Sequence, residues 1–187
     1  MSNKINSKTL TQFKVSNFFN HADLADVIPF SEDYEISRER LVRIAALCNQ
    51  PDIYNILFKE KLGGKKYSFS DAEKFYKWAC EGWAKQMYFV YIIINNNGEI
   101  IGAIDIKSDN PEGAEIGYWQ DENSHGFMTN TVLALAEKAE VAGYKTLYAL
   151  VNLENMKSGT VLKRAGFVEI GQVLKKGKTF NKFVIEL

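Results

Sequence analysis

The sequence predicts an α/β fold in which a mixed, mostly antiparallel sheet is flanked by helices. Two patterns lead to this prediction. The turn sequence Asn96-Asn97-Gly98 joins two β-prone runs and indicates an antiparallel hairpin. The short apolar run at residues 146–151 follows directly after a long amphipathic helix, an order that favours a buried strand in parallel pairing.

Composition limits the class of protein. The chain has 187 residues, of which 46% are hydrophobic, so we expect one domain spanning residues 1–187. Lys plus Arg and Asp plus Glu both number 23, and this zero net charge argues against general binding to nucleic acid or an anionic membrane. No apolar run is long enough to span a membrane and the N-terminus lacks an apolar signal core, so we expect a cytoplasmic protein.

The two cysteines give no sign of a disulfide or of a metal site. Cys48 and Cys80 are far apart in the sequence, and each lies in a helical pattern. We expect both to be buried free thiols and expect no bound metal, because no metal-ligand spacing is present.

Seven runs are predicted as strands because they are β-prone and bounded by turn residues. They are residues 25–30, 87–94, 99–106, 114–119, 146–151, 167–174 and 179–186. The polar residues 1–20 fit either a mobile lead or an added strand at residues 10–15. The basic turn at residues 175–178 is interpreted as a solvated hairpin, the alternative being a clamp for an acidic ligand.

Five stretches are predicted as helices. Two are residues 37–48, which carry Leu41 and Ile44 on one face, and a short helix at residues 53–58. A third helix is predicted to begin at Ser70, with Glu73 in the capping-box position. The remaining two follow Gly126 and cover residues 155–165.

The stretch 121–142 places a tight polar loop directly before one of these helices. Gly126 ends the loop, and the apolar stripe of the helix follows: Met128, Val132, Leu135 and Ala139. A glycine there lets the backbone approach a ligand, while the free N–H groups and the helix dipole favour an anion such as phosphate. The alternative is an ordinary capped helix, which one glycine alone would favour.

Two motifs give this stretch a family context. Asn123, Gly126 and Met128 occupy the register of an acyl-CoA loop, in which the glycine matches while Asn123, Ser124 and Met128 depart from the pattern. The second motif, Asn-x-x-Ser followed by Leu and Gly-Phe, matches at Asn155, Ser158, Leu162, Gly166 and Phe167. Together, over residues 35–187, they resemble the GNAT superfamily of N-acetyltransferases, and within it the RimJ/RimL-like branch that acetylates ribosomal-protein N-termini.

The resemblance implies an acetyl-CoA-dependent N-acetyltransferase that moves an acetyl group directly to a primary amine through a tetrahedral intermediate. It also implies a sheet that splays between the strands at residues 114–119 and 146–151, leaving a slot for the pantetheine arm of acetyl-CoA. The implied cofactor-binding residues are Gly117, Tyr118, Trp119, Asn123, Ser124, His125, Gly126, Phe127, Met128, Thr129 and Asn155. His125 is interpreted as a solvated loop residue or as a neighbour of the pyrophosphate.

Two residues are candidates for proton transfer. Glu115 lies on the strand before the loop, where relatives carry a glutamate base that acts directly or through a water; the alternative is a solvent-facing carboxylate. Ser158 is the candidate to protonate the departing thiolate, the alternative being a helix cap. Leu162 stands where much of the superfamily has a tyrosine acid, which shifts this role to Ser158. Asn155 is open to the same alternative, an N-cap.

The implied partners are acetyl-CoA and an amine, with the chain as a monomer or homodimer. The amine could be a protein N-terminus, a free amino acid, a polyamine or an amino-bearing small molecule, selected by the aromatic-rich residues 51–83. Two other functions remain open: a catalytically silent acyl-CoA-binding module, and a dinucleotide-dependent oxidoreductase. The second is disfavoured because no G-x-G-x-x-G follows a strand.

Overall fold

A computed structural model describes residues 4–187, in which eight strands form a sheet of order β1-β2-β3-β4-β5-β6-β8-β7. Every neighbouring pair is antiparallel except β5 and β6. The strands are β1 Phe13–Ser16, β2 Leu24–Pro29, β3 Phe89–Asn95, β4 Ile100–Ile106, β5 Ala114–Gln120, β6 Thr146–Asn152, β7 Val168–Lys175 and β8 Lys178–Glu186.

Helices cover both faces of this sheet, and a 3₁₀ turn, Ser7–Thr9, precedes β1. The helices are α1 Arg38–Cys48, α2 Pro51–Ile53 with its π-helical continuation Tyr54–Phe58, α3 Phe69–Lys85, α4 Phe127–Ala142 and α5 Met156–Arg164. Among residues 4–187, no helix has the length and apolarity needed to cross a membrane.

The sheet separates between its two parallel strands. Ala114 pairs with Leu147 and Glu115 with Tyr148, and the pairing of β5 with β6 stops there. The rest of β5 continues to pair with β4 on its other side. The prediction of a mixed, mostly antiparallel sheet that splays between two central parallel strands is therefore confirmed.

Buried side chains form two clusters, one on each face of the sheet. On one face the predicted stripe of α4, Met128, Val132, Leu135 and Ala139, packs among the buried residues of the first cluster. On the other face α1 and α3 contribute to the second cluster. β3 serves both, because Tyr91 and Ile93 belong to the first cluster while Ile92 and Ile94 belong to the second. Burying such a side chain contributes roughly 1.5–3 kcal/mol, so α4 is held mainly by packing.

The N-terminal segment contributes a strand. Our prediction for residues 1–20 includes residues 1–3, which lie outside the described residues. Within the remainder, β1 pairs antiparallel with β2, so the added strand is the alternative that forms, shifted to Phe13–Ser16. The run predicted at residues 25–30 is therefore the second strand. Cys48 and Cys80 are buried and free, as predicted.

The start of α3 was predicted wrongly. The N-cap is Ser68, whose Oγ accepts from the Asp71 N–H while the Asp71 carboxylate accepts from the Ser68 N–H. This capping box lies two residues before the predicted pair Ser70 and Glu73. Ser68 has the extended backbone that an N-cap needs, with φ −94° and ψ 168°. Both serines have an acidic residue three positions later, so the sequence offers two registers.

The two serines therefore form a matched pair for an experiment. Ser68→Ala should lower the free energy of unfolding by about 1 kcal/mol, because it removes the cap acceptor. Ser70→Ala should leave stability unchanged or slightly higher, because Ser70 lies exposed inside the helix. Urea unfolding of both variants measures the difference. A larger loss for Ser70→Ala than for Ser68→Ala would contradict this assignment of the cap.

Candidate functional site

Two cavities meet where β5 and β6 part. The first, here called the loop cavity, has a volume of about 450 Å³ and lies against residues 118–129 and α5. The second, the wide cavity, has a volume of about 780 Å³ and extends over β4, β5 and β6 to the β7–β8 turn. Both are lined by Ile56, Leu57, Tyr118, Trp119, Asn155 and Ser158. These shared residues mark a passage between the two spaces.

Asp121 holds the polar loop before α4 in place. Its buried carboxylate accepts from Arg43 Nη2 at 2.6 Å, from Gln50 Nε2 at 2.7 Å and from the Asn123 N–H at 3.1 Å. Burial acts to raise the pKa of Asp121, but the hydrogen bonds from Gln50 and Asn123 and the Arg43 charge together lower it. The loop is thus anchored to α1 and to the residue that precedes α2 by a carboxylate that stays ionised.

Gly126 is required for a reason that the sequence did not reveal. Its φ is +98°, and a Cβ at this position would overlap the side chain of Asn17. Asn17 Nδ2 donates to the His125 carbonyl at 2.7 Å, and the Phe18 N–H donates to the Gly126 carbonyl at 2.9 Å. The N-terminal segment therefore packs against the helix entrance, which leaves the opposite side of the glycine free to face the loop cavity.

The predicted loop residues divide into two groups. His125, Gly126, Met128 and Thr129 line the loop cavity, whereas Asn123, Ser124 and Phe127 do not. Phe127 belongs to the core, and Asn123 and Ser124 hydrogen bond to Asp121. The Met128 N–H donates to Gln120 Oε1 at 3.0 Å, so a side chain already satisfies one donor of the helix entrance.

Phe19 and Arg164 flank the loop cavity at its outer end. The Phe19 side chain is 66% exposed, and the Arg164 guanidinium lies 5.3 Å from the centre of its ring. Both line the loop cavity. An aromatic ring and a cation are therefore presented to whatever occupies this end of the cavity.

Tyr118 and Ser158 link the two parted sides of the sheet. The Tyr118 hydroxyl lies 2.6 Å from Ser158 Oγ and donates to the Ser158 carbonyl at 3.1 Å. Asn155 caps α5 by accepting from the Ser158 N–H at 3.1 Å, so the cap is Asn155 and the Ser158 hydroxyl is free for another role. Burial raises the pKa of Tyr118, so its phenol stays protonated. Tyr118 was expected from the sequence only as a cofactor-binding position, although its place on the strand that borders the splay was an available signal.

Glu115 is held by two lysines. Its carboxylate accepts from Lys107 Nζ at 2.6 Å and from Lys175 Nζ at 2.5 Å, and only 13% of the side chain is exposed. Burial acts to raise the pKa of Glu115, but the two lysine hydrogen bonds and charges lower it overall. Glu115 and Ser158 both line the wide cavity, so the structure brings the two predicted catalytic residues to the same space.

Asp105 is a further carboxylate in the wide cavity, and it was not predicted from the sequence as a site residue. Its Oδ1 is buried and has no hydrogen-bond partner among the described residues. Burial raises the pKa of Asp105 to about 6, against the opposing attraction of Lys107. Asp105 pairs in register with Gly117, where a Cβ would come within 2.8 Å of Lys107 Nζ and 3.1 Å of Asp105 Oδ1. The detectable signal was one charged residue within the apolar run of β4.

Comparison with known proteins identifies the family of this chain. The model of the acetyltransferase (GNAT) domain matches residues 35–168, which is more than half of the chain. The chain therefore belongs to the GNAT acetyltransferase family. A search of curated protein sequences gives no significant match.

Solved structures share the fold at low sequence identity. Mycobacterium smegmatis RimJ, solved with a CoA disulfide, is 15% identical with a TM-score of 0.71, and the match covers 99% of this chain and 88% of RimJ. The microcin self-immunity acetyltransferase MccE, solved with acetyl-CoA and AMP, is 18% identical with a TM-score of 0.69, covering 87% and 92%. Vibrio cholerae spermidine N-acetyltransferase, solved with CoA and spermine, is 17% identical with a TM-score of 0.66, covering 87% and 95%.

The anchor of the loop gives a stability prediction with a defined pH dependence. Asp121→Asn should lower the free energy of unfolding at pH 7 by about 2 kcal/mol, the scale of hydrogen bonds to a charged group. A carboxyl whose pKa is lower in the folded state stabilises the fold above its unfolded pKa of about 3.9, and this contribution is lost as pH falls through the folded pKa.

The difference between wild type and Asp121→Asn should therefore shrink below about pH 4, as measured by urea unfolding across pH. Asp33→Asn is the matched control, because Asp33 is exposed and makes no side-chain hydrogen bond or ion pair among the described residues. A difference that stays constant from pH 7 to pH 3 would show that the Asp121 charge contributes nothing.

Proposed function

We propose that this GNAT family member is an acetyl-CoA-dependent N-acetyltransferase that transfers the acetyl group directly to a primary amine. The observation that carries the proposal is the meeting of the two cavities at Tyr118 and Ser158, where β5 and β6 part. One cavity faces a helix entrance suited to phosphate, and the other contains carboxylates suited to an amine. The proposal takes the whole chain as one domain that acts in the cytoplasm.

The loop cavity fits the cofactor from its nucleotide end to its thioester. Gly126 and Thr129 bring the entrance of α4 to the cavity, where a helix dipole favours the pyrophosphate. Phe19 and Arg164 offer a ring and a cation to the adenine nucleotide. Beyond Glu115 the β6 side of β5 has no strand partner, so backbone groups of Gly117–Trp119 are available to the pantetheine amides.

Deprotonation of the amine sets the requirement for a base. An amine with a pKa of about 10.4 costs roughly 4.6 kcal/mol to deprotonate at pH 7, whereas an α-amine with a pKa near 8 costs roughly 1 kcal/mol. A base works best when its own pKa lies near the operating pH. Asp105 fits this requirement, since it lines the wide cavity, forms no ion pair within residues 4–187 and has a pKa that burial raises to about 6.

Glu115 is the other candidate base, and its contacts favour a supporting role. The two lysines that hold it also lower its pKa, which weakens it as a base. A base that must accept a proton would also have to give up one of these ion pairs. We therefore assign proton abstraction to Asp105 and assign Glu115 the task of fixing Lys107 and Lys175 at the cavity wall.

The departing thiolate needs a proton donor or a hydrogen bond. Ser158 Oγ and the Tyr118 hydroxyl lie 2.6 Å apart where the two cavities meet, so either oxygen can donate while the other supports it. In the proposed step the amine nitrogen bonds to the carbonyl carbon and the carbon–sulfur bond breaks. Asp105 takes the first proton of the ammonium and passes it to solvent, which leaves a neutral amine to attack, and it then takes the second nitrogen proton as the amide forms. The Tyr118–Ser158 pair supplies a proton to sulfur and regains one from solvent, so the overall reaction of an ammonium with acetyl-CoA gives the amide, free CoA thiol and one released proton.

The alternative function is a catalytically silent acyl-CoA-binding or interaction module of the same fold. The departures at Asn123, Ser124 and Leu162 permit it. The Asp105 carboxyl argues against it, because its Oδ1 is buried without a hydrogen-bond partner among the described residues, and leaving a polar atom so placed is costly.

Calorimetry with acetyl-CoA, followed by a thiol-release assay against a panel of amines, tests the proposal. We expect a 1:1 binding isotherm and release of free CoA thiol that depends on the amine. Binding without turnover on any amine would support the silent module instead. Absence of both heat and a thermal shift at millimolar acetyl-CoA would overturn both functions.

The choice of base predicts a pH profile. For wild type, kcat/KM should fall as pH drops below about 6, because Asp105 becomes protonated. Asp105→Asn should remove this limb and lower kcat/KM at pH 7 by roughly 10²–10⁴-fold. Glu115→Gln is the matched variant and should keep the limb near pH 6. If Glu115→Gln removes the limb while Asp105→Asn keeps it, Glu115 is the base.

A further inference from the structure

We propose that the amine acceptor also carries an anionic group, a carboxylate or a phosphate, that binds lysines at the mouth of the wide cavity while its amine reaches Asp105. This inference rests on the proposed function, since it names the class of acceptor for the same site. It separates the acidic amines from the polyamines and neutral amines that the family resemblance leaves open.

The charge lining the wide cavity is the first observation. Five lysines line it, namely Lys61, Lys107, Lys175, Lys176 and Lys178, against three carboxylates, Glu60, Asp105 and Glu115. The chain as a whole has as many basic as acidic residues. The cavity is therefore locally positive within a neutral protein, and a cavity of one sign concentrates ligands of the opposite sign.

The pairing of these charges is the second observation. Lys107 and Lys175 bind Glu115, and Lys178 binds Glu60, so both of these carboxylates are already neutralised. Lys61 and Lys176 form no ion pair with any carboxylate of residues 4–187, and both are exposed. Two ammonium groups thus remain available to a ligand.

The separation of charge within the cavity is the third observation. Among residues 4–187 Asp105 forms no ion pair, whereas Glu60 and Glu115 are both paired with lysine; the charges of Lys107 and Lys61 attract Asp105 without pairing with it. Lys61 and the turn that carries Lys176 belong to exposed segments at the edge of the same cavity. An amine therefore has a partner at the buried end, and an anionic group has partners at the open end.

A polyamine fits this arrangement poorly. One of its ammonium groups could reach Asp105, but each additional ammonium would lie among lysines, and like charges repel. Phe58, Phe75 and Trp78 also line the wide cavity, and their aromatic side chains suit an apolar linker. The preferred acceptor thus has an amine, a short linker and an anionic group.

Dipeptide amides provide probes that share one α-amine and differ only in the second side chain. We would use Ala-Glu, Ala-phosphoserine, Ala-Gln and Ala-Lys amides, with spermidine as a polycation. Binding would be measured by calorimetry in the presence of CoA, and turnover by thiol release. An exposed ion pair changes an equilibrium constant by up to about fivefold, so two lysines give a preference of roughly tenfold for Ala-Glu or Ala-phosphoserine over Ala-Gln.

Lysine variants locate the source of this preference. Lys61→Ala and Lys176→Ala should each reduce the preference by about two- to fivefold, and added salt should reduce it as well. Lys145→Ala is the matched control and should leave it unchanged, because Lys145 is exposed, pairs with Glu112 and does not line the wide cavity. The two anionic probes show whether a carboxylate or a phosphate is preferred.

The two readouts separate this inference from the proposed function. Turnover with equal rates for Ala-Glu and Ala-Gln, or with a preference for Ala-Lys or spermidine, would overturn the anionic acceptor and leave the acetyltransferase in place. Preferred binding of the anionic probes without turnover of any amine would support the acceptor class and overturn the proposed catalysis. If none of the probes binds and none is turned over, the inference is overturned.

Discussion

The parting of β5 from β6 is the constraint on which the rest of the site depends. A parallel pair in a central sheet normally satisfies its backbone groups along its whole length, yet here the ladder stops after two residue pairs. The gap persists because each strand has an antiparallel partner on its outer side, β4 for β5 and β8 for β6. The sheet therefore stays continuous in its two halves, and an opening exists between them without loss of the fold.

The neighbouring elements use this opening in different ways. Tyr118 crosses it to reach Ser158, which places two hydroxyl groups where the strands diverge. Gly117, on β5 just before Tyr118, has no side chain, so the Asp105 carboxylate and the Lys107 ammonium lie above its backbone. Asp121, directly after β5, fixes the loop that leads to α4. Since these residues lie on β4 or directly after it, on β5 and α5, and in the loop before α4, their arrangement follows from the sheet.

The sequence predicted most of the fold because periodicity and turn chemistry are local properties. The Asn-Gly turn, the stripe of α4 and the alternation of the strands can each be read within a short window. The start of α3 was misplaced because Ser68 and Ser70 present the same local pattern, and only the backbone conformation of Ser68 distinguishes them. The candidate site was harder to predict. Glu115 has the residue type expected of a base, but Lys107 reaches it from across the turn between β4 and β5, and Lys175 reaches it from 60 positions away in the chain. Asp105 gains its raised pKa from burial; the apolar run of β4 around it was a local sign of that burial, but the run does not show which groups surround the carboxyl in the fold.

The contact between Asn17 and Gly126 has a consequence for how the boundaries of this protein are defined. The family match begins at residue 35, so a fragment trimmed to that match would discard Asn17 and the whole of β1 and β2. Such a fragment would expose one edge of β3 to pairing with other molecules, a recognised route to aggregation. It would also lose the hydrogen bonds from Asn17 to the His125 carbonyl and from Asn130 to the Ser16 carbonyl. The residues that the family match leaves out therefore include those that hold the entrance of α4 on the side away from the loop cavity.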